Sequence, residues 1–310
     1  MGYRSCRAGD AMTMTMLRTL LLAGLFTLAT VARGQPVPAP TAPQGELNEQ
    51  VYQVPVSESV MRGGARTLIL VTVYRPAGNG PFPLVVISHD SPRTVEERRR
   101  MGRAAFEEQA RAFVGRGFAV AVPTRRGYGR SGGEWAETYK DCKNPDYRFA
   151  GMETARDILA SISALSTEPF IDATKVLLIG VAAGGFGSLA AATQPIPGLA
   201  GTINFAGGRG AVSDYSICEQ PKLAEAFGVF GAESRAPSFW LYAENDRSFT
   251  PAVAKQLFSS YVRAGGRGDL LIVPLHGQDG HAYFYTGMKA WLPLVDEFLA
   301  SINFRPATAR

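Results

Sequence analysis

Three positions far apart in the chain carry residue types whose chemistry belongs together. The first lies in Gly180-Val181-Ala182-Ala183-Gly184-Gly185, directly after an apolar run at 175–179 and directly before a helical stretch. Strand, glycine-flanked turn and helix are the setting of a nucleophile elbow, in which a strained backbone holds the central side chain out of the sheet. The glycines are required because neighbouring backbone passes very close. The central residue is Ala182, and a methyl group has no proton to lose and no lone pair to attack with. The second position is Asp246, just beyond the apolar run 240–243, and the third is His281, in Gln278-Asp279-Gly280-His281. A nucleophile at the turn would need an imidazole to take its proton and a carboxylate to hold that imidazole's tautomer. The chain has three histidines, at 89, 276 and 281, so candidates for the base are few.

These residues must be positioned by the elements around them. Residues 51–56 and 67–73 alternate or run β-branched about Arg62-Gly63-Gly64 and read as a hairpin. Short apolar runs at 84–87, 118–122, 175–179, 201–205, 238–243 and 270–273 read as strands, most of them buried on both faces. Between and after them, helices are expected at 96–115 (closed by Gly117), 147–165, 186–193, 221–230, 251–264 and 288–302. Short strands alternating with longer helices imply right-handed crossovers. The expected fold is therefore α/β, a mostly parallel central sheet with helices on both faces and an antiparallel N-terminal hairpin. Ligand chemistry in such sheets sits at the carboxyl ends of the strands, where Ala182, Asp246 and His281 all fall. No internal repeat or second domain is evident, only a small cap between 207 and 236.

Three further segments complete a pattern: His89-Asp90-Ser91-Pro92, Asn204-Phe205-Ala206-Gly207-Gly208, and the run Pro123-Thr124-Arg125-Arg126-Gly127-Tyr128-Gly129-Arg130-Ser131-Gly132-Gly133. With the elbow and the ordered acid and base, they make the chain resemble the dienelactone hydrolase family of the α/β-hydrolase superfamily over residues 65–305. The resemblance implies the α/β-hydrolase fold and a carboxylic ester or lactone hydrolase scaffold without a cofactor. It places Ala182 where relatives carry the nucleophilic Ser, Asp246 as the acid (with Glu244 as the alternative) and His281 as the base. It makes the backbone N–H groups of Asp90 and Ala183 the oxyanion hole, flanked by His89 and Ser91. Relatives usually show Gly where Asp90 stands. A carboxylate turned into that hole would oppose developing negative charge by several kcal/mol. Turned outward, it would leave only its backbone in play. Ser91, Ser131 and Ser188 lie outside any elbow and read as loop or helix residues.

The N-terminus carries Arg4, Arg7 and Arg18 ahead of an apolar run at 19–32, then Ala32-Arg33-Gly34. This reads as a signal peptide over 1–34, since the run is shorter than the ~20 residues that span a bilayer. Residues 35–46 are proline-rich and read as a tether, and 47–310 as one domain. Export implies a periplasmic or secreted protein. Removing the leader's four Arg and one Asp leaves a formal charge of +2, and no basic stripe points to nucleic acid. Of three cysteines, Cys142 and Cys218 remain, an even pair that in an exported protein reads as a disulfide, the alternative being two buried thiols. No CxxC or HxxxH spacing suggests a metal.

The chemistry therefore allows three outcomes. One is an impaired hydrolase scaffold that keeps a pocket for a small ester, lactone or acyl ligand. Another is an active ester hydrolase, with Ser at 182 in the parent sequence or with water activated by His281 and Asp90. The third is an interaction platform, for which no surface stands out. Oligomeric state is not readable.

Overall fold

The computed structural model describes residues 37–57, 64 and 66–306. The leader at 1–34, the start of the tether and Arg62-Gly63 of the first turn lie outside the described residues. Residues 37–46 are exposed, and from Thr41 onward the chain bonds back to the first strand, with the Val51 N–H donating to Thr41 Oγ1 at 2.8 Å.

Strand β1 (Gln50–Ser57) buries every second residue, as the sequence alternation requires, and pairs antiparallel with β2 (Arg66–Tyr74). β3 (Phe82–Ser88) leads through α1 (Val95–Arg100) and α2 (Glu107–Val114) to β4 (Ala119–Thr124). Then come α3 (Tyr147–Leu165), β5 (Ile171–Val181), α4 (Ala183–Ala191), β6 (Leu199–Phe205), the short hairpin β7 (Ala211–Ser213) and β8 (Ser216–Ile217), and α5 (Gln220–Glu233). The chain continues with β9 (Ser238–Ala243), α6 (Pro251–Arg263), β10 (Gly268–Val273), α7 (Tyr283–Thr286) and α8 (Met288–Ser301). The eight-stranded sheet has the order β1-β2-β4-β3-β5-β6-β9-β10. It is antiparallel across β1-β2-β4 and parallel from β4 onward.

Side chains alternate along each parallel strand, so successive residues feed different cores. Leu84 and Val86 join one apolar cluster with residues of α3, α4, α5 and α6, including Ile158, Phe186 and Phe227. Val85 and Ile87 join another with Phe113 of α2 and Trp291 of α8. The sheet is thus covered on both faces. This explains why its strands read as unbroken apolar runs.

One expected element divides. The continuous helix at 96–115 is two helices, because Met101 leaves helical space (φ −54°, ψ 132°) and Phe106 turns left-handed (φ 48°). The intervening segment is held by the sheet instead: Ala104 N–H donates to Thr124 Oγ1 and Thr72 Oγ1–H donates to Ala104 O, each at 2.8 Å. Arg103 reaches Thr72 and Glu49, at 2.5 Å each. These partners are remote in sequence, so helix propensity could not reveal the break.

Cys142 and Cys218 form a disulfide, 76 residues apart, joining the loop after β4 to the segment before α5. On the chain-entropy view, closing a loop of that length stabilises by about 4 kcal/mol. Among the described residues, no helix is long and apolar enough to cross a membrane.

Candidate active site

The central strand β5 ends at Val181, and α4 begins at Ala183, leaving Ala182 alone to turn the chain at φ 47°, ψ −113°. A non-glycine residue held there costs about 1–3 kcal/mol, so its surroundings must over-determine it. They do. The Ala182 N–H donates to Phe205 O at 2.9 Å, and its carbonyl accepts from Phe186 N–H at 3.0 Å and Gly208 N–H at 3.1 Å. A Cβ on Gly180 would overlap the backbone of Gly184, and one on Gly184 would overlap the carbonyl oxygens of Ser88 and His89. The flanking glycines are therefore fixed by close approach, as the motif predicts.

Asp246 follows β9 and is almost wholly buried. Its Oδ1 accepts the N–H groups of Ser248 and Phe249, both at 2.8 Å, which fixes the carboxylate before it meets any base. Both carboxylate oxygens lie 3.2 Å from His281 Nδ1. His281 stands on a single 3₁₀ turn, Gly280–Ala282. Asp279 Oδ1 anchors that turn by accepting from His281 N–H at 3.0 Å and from Arg247 N–H at 3.1 Å. Gly280 is required there, since a Cβ would strike Ala243 and Asn245. With Nδ1 committed to Asp246, Nε2 is the nitrogen left for chemistry. Burial would lower the imidazole's pKa, but the hydrogen bond and charge of Asp246, helped by Asp279 and Asp90, outweigh it and raise the value above 6.5.

Ala182, Ala183, Ser91 and His281 border one cavity of about 200 Å³. Ala182, the Asp246–His281 pair and the cavity thus lie together. Glu244 is exposed, and Asp246 alone meets the imidazole. Ser131 donates its hydroxyl to Thr124 O, and Ser188 lies inside α4 against Ile179 O at 3.5 Å. Neither borders the cavity.

Asp90 takes the outward alternative. It is only half-buried, it is not among the cavity's residues, and burial together with the Asp90 charge raises the pKa of Tyr285. His89 is buried and fully engaged: Nδ1 lies 2.6 Å from Asp90 O, and Nε2 accepts Arg125 N–H at 3.1 Å. Burial, then the Arg125 charge, pushes its pKa well below 6.5, so the ring is neutral.

A buried polar cradle beneath this loop escaped the sequence reading. Arg125 pairs with Glu137 at 3.0 Å and also donates to Ser88 Oγ and to the carbonyls of His89 and Asp90. Glu137 further accepts the hydroxyls of Tyr128 and Thr154. Burial would raise its pKa, but Arg125 and Arg209 hold it well below the usual carboxylate range. Arg126 is paired separately with Asp157 at 2.6 Å and Glu153 at 3.0 Å. Two adjacent arginines at the end of an apolar strand were the available signal. Trp135, Tyr139, Arg209, Ser248 and Phe249, which border the cavity, were also missed. They stand on loops that lack periodicity.

The fold is that of the α/β-hydrolases, shared with solved dienelactone hydrolase and esterase structures. The chain belongs to the X-Pro dipeptidyl-peptidase (S15) family, whose family model matches residues 63–259, a span that includes Ala182 and Asp246 and ends before His281. No curated protein matches it. Among solved structures, it is similar to a Klebsiella pneumoniae protein provisionally assigned as a dienelactone hydrolase. That match has a TM-score of 0.55 and 15% identity, covering 82% of this chain and 98% of that one. An acetyl xylan esterase from Paenibacillus sp. R4 gives 0.57 and 14%, covering 84% and 89%. An acylaminoacyl peptidase from Pyrococcus horikoshii gives 0.58 and 17%, covering 84% of this chain and 43% of that one. The present chain therefore spans less than half the peptidase's length. At these identities the likeness concerns the fold.

Proposed function

We propose that this protein is an exported hydrolase scaffold whose own esterase chemistry is disabled at Ala182 and whose cavity still receives a small ester, lactone or acyl compound. The observation that supports it most is the methyl of Ala182 at the elbow, bordering the same cavity as an imidazole already oriented by Asp246. Loss of a triad nucleophile lowers turnover by about a million-fold, leaving binding and oxyanion effects. The leader at 1–34 supports delivery to the periplasm or medium.

A second reading is general-base hydrolysis, in which His281 Nε2 takes a proton from a water attacking the bound acyl carbon. The raised pKa and the Asp246 partner favour it. Asp90 does not line the cavity, and its charge helps to hold a proton on His281.

The test is Ala182→Ser assayed with p-nitrophenyl acetate against the unaltered chain. Reversion should raise turnover steeply, approaching the million-fold that the hydroxyl is worth. An Ala182→Ser variant that folds normally and stays inert would overturn the scaffold reading. Turnover in the unaltered chain that His281→Ala abolishes would favour the water route.

A further inference from the structure

Ser91 borders the cavity and is partly exposed, and the hydrogen bonds behind it fix which way its hydroxyl points. Its Oγ lies 2.6 Å from the Tyr128 hydroxyl oxygen. That oxygen also contacts a carboxylate oxygen of Glu137, and it accepts the Trp135 indole N–H at 2.9 Å. A phenol has one hydrogen to give and two lone pairs to receive with. Glu137 takes the hydrogen. Arg125 and Arg209 hold this carboxylate ionised, and a bond to an ionised acceptor is roughly twice as strong as one to a neutral oxygen. With Trp135 on one lone pair, the Tyr128 oxygen keeps one more, and the Ser91 hydrogen is placed to meet it. The other acceptor near Ser91 is Pro92 O, at 3.5 Å, which already receives an Arg98 N–H at 3.0 Å.

The Ser91 hydrogen is therefore directed into the protein. What Ser91 turns to the cavity is an oxygen with lone pairs and no hydrogen. Trp135 beside it donates its one N–H to Tyr128 and offers the cavity an apolar ring. An acceptor on this wall calls for a donor on the ligand. That donor is neutral, because Arg93, Arg98, Arg209 and His281 border the same cavity and none of its lining residues is Asp or Glu, a setting that repels an ammonium group.

We propose that Ser91 is a specificity-determining residue that selects a hydroxylated ligand, its oxygen accepting the hydroxyl hydrogen of the ester, lactone or acyl compound in the cavity. This rests on the reading of a small-molecule pocket beside a disabled elbow and gives the occupant of that pocket a chemical class. The selection is set by the chain from Glu137 through Tyr128 to Ser91, since a serine by itself can turn its hydrogen either way. A methoxy group in place of the ligand's hydroxyl would bring oxygen against oxygen with no hydrogen between them. The volume, about 200 Å³, lies below the ~300–1,000 Å³ of ordinary ligand pockets and suits a compact molecule.

Isothermal titration of the unaltered chain tests this with γ-butyrolactone, its 2-hydroxy and 3-hydroxy derivatives, and the methyl ethers of both. At least one hydroxylactone should bind about 3–10-fold more tightly than its methyl ether and than the parent lactone, the worth of one neutral hydrogen bond. Ser91→Ala, checked for folding by circular dichroism, should abolish that preference. Tyr128→Phe supplies a readout that a merely structural role would not move. It frees the Ser91 hydrogen to turn into the cavity, so the methyl ether should gain on the hydroxylactone. Equal binding of hydroxylactone and ether, no binding of either hydroxylactone, or a preference that survives Ser91→Ala would each overturn the proposal. So would a Tyr128→Phe protein that folds and keeps the preference unchanged. The outcome is separable from that of the scaffold reading. Esterase gained by Ala182→Ser, beside equal binding of hydroxylactone and ether, leaves only the scaffold. A preference that depends on Ser91, beside an Ala182→Ser variant that stays inert, leaves only the selective pocket.

Discussion

His89 and His281 both follow strands of one sheet, yet their surroundings give them opposite properties. Around His89 every polar neighbour is already spent. One ring nitrogen contacts the Asp90 carbonyl, the other accepts the Arg125 N–H, and burial keeps the ring neutral. Around His281 the partner is a carboxylate, the side chain is 24% exposed, and the ring's pKa rises. The first histidine is a pin that joins two loops, whereas the second is an imidazole whose proton affinity Asp246 raises. Residue type does not separate them. What separates them is whether the partners are backbone groups of fixed polarity or an ion that rewards a proton.

The largest effect expected from this division concerns activity. In an Ala182→Ser background, His281→Ala should abolish the esterase gained, a loss of about a million-fold. His89→Gln, which keeps a donor and an acceptor, should cost no more than about 10–100-fold, the scale of groups that act through others. Steady-state kinetics with p-nitrophenyl acetate measures both, and comparable losses would erase the distinction between pin and base.

Stability should show the reverse order. Arg125→Met leaves Glu137 buried without its main counter-ion, and breaking such a pair costs about 3–5 kcal/mol. Asp246→Asn keeps an acceptor for the Ser248 and Phe249 N–H groups and should cost about 1–3 kcal/mol. Urea denaturation of the two variants decides the order. If Asp246→Asn proves the more destabilising, the acid is a structural centre as well as a partner of the base.

How far the sequence reveals this division depends on where each partner lies. The elbow is legible because its causes are local: an apolar strand, glycines at 180, 184 and 185, and a helix directly after. Asp246 and His281 are legible because family order assigns them, and the 3.2 Å contact accords with it. The strands of the sheet are legible because burial on both faces leaves continuous apolar runs, as at Leu84 to Ile87. The break near Met101 is hidden because its partners, Thr72 and Thr124, come from other strands. The cradle is hidden for the same reason. Beyond the adjacent Arg125 and Arg126 at the end of an apolar strand, nothing in the sequence announces that Glu137, Tyr128 and Thr154 converge beneath His89. Arg209 follows a Gly-Gly pair in a loop, and its buried approach to Glu137 is a contact that no one-dimensional pattern encodes.

The smallest expected effect is the most direct measure of the comparison. The folded-state pKa of His89 lies below 6.5, so as pH falls past 6.5 the unfolded chain takes up a proton that the folded one refuses, and stability is lost. The folded-state pKa of His281 lies above 6.5, so its contribution is complete below 6.5 and disappears as pH rises through the folded value. Each histidine can tilt stability by at most about 1.4 kcal/mol per pH unit. Difference curves between the unaltered chain and each variant, from urea midpoints at pH 5 to 8, isolate the two contributions from the background of carboxylates. His89→Gln should remove part of the fall on the acid side, and His281→Gln part of the fall on the alkaline side. Changes on the opposite sides would mean that the pin titrates and the base does not. The polarity of the two loops would then be reversed, and His281 would lack the proton affinity that general-base chemistry at the elbow requires.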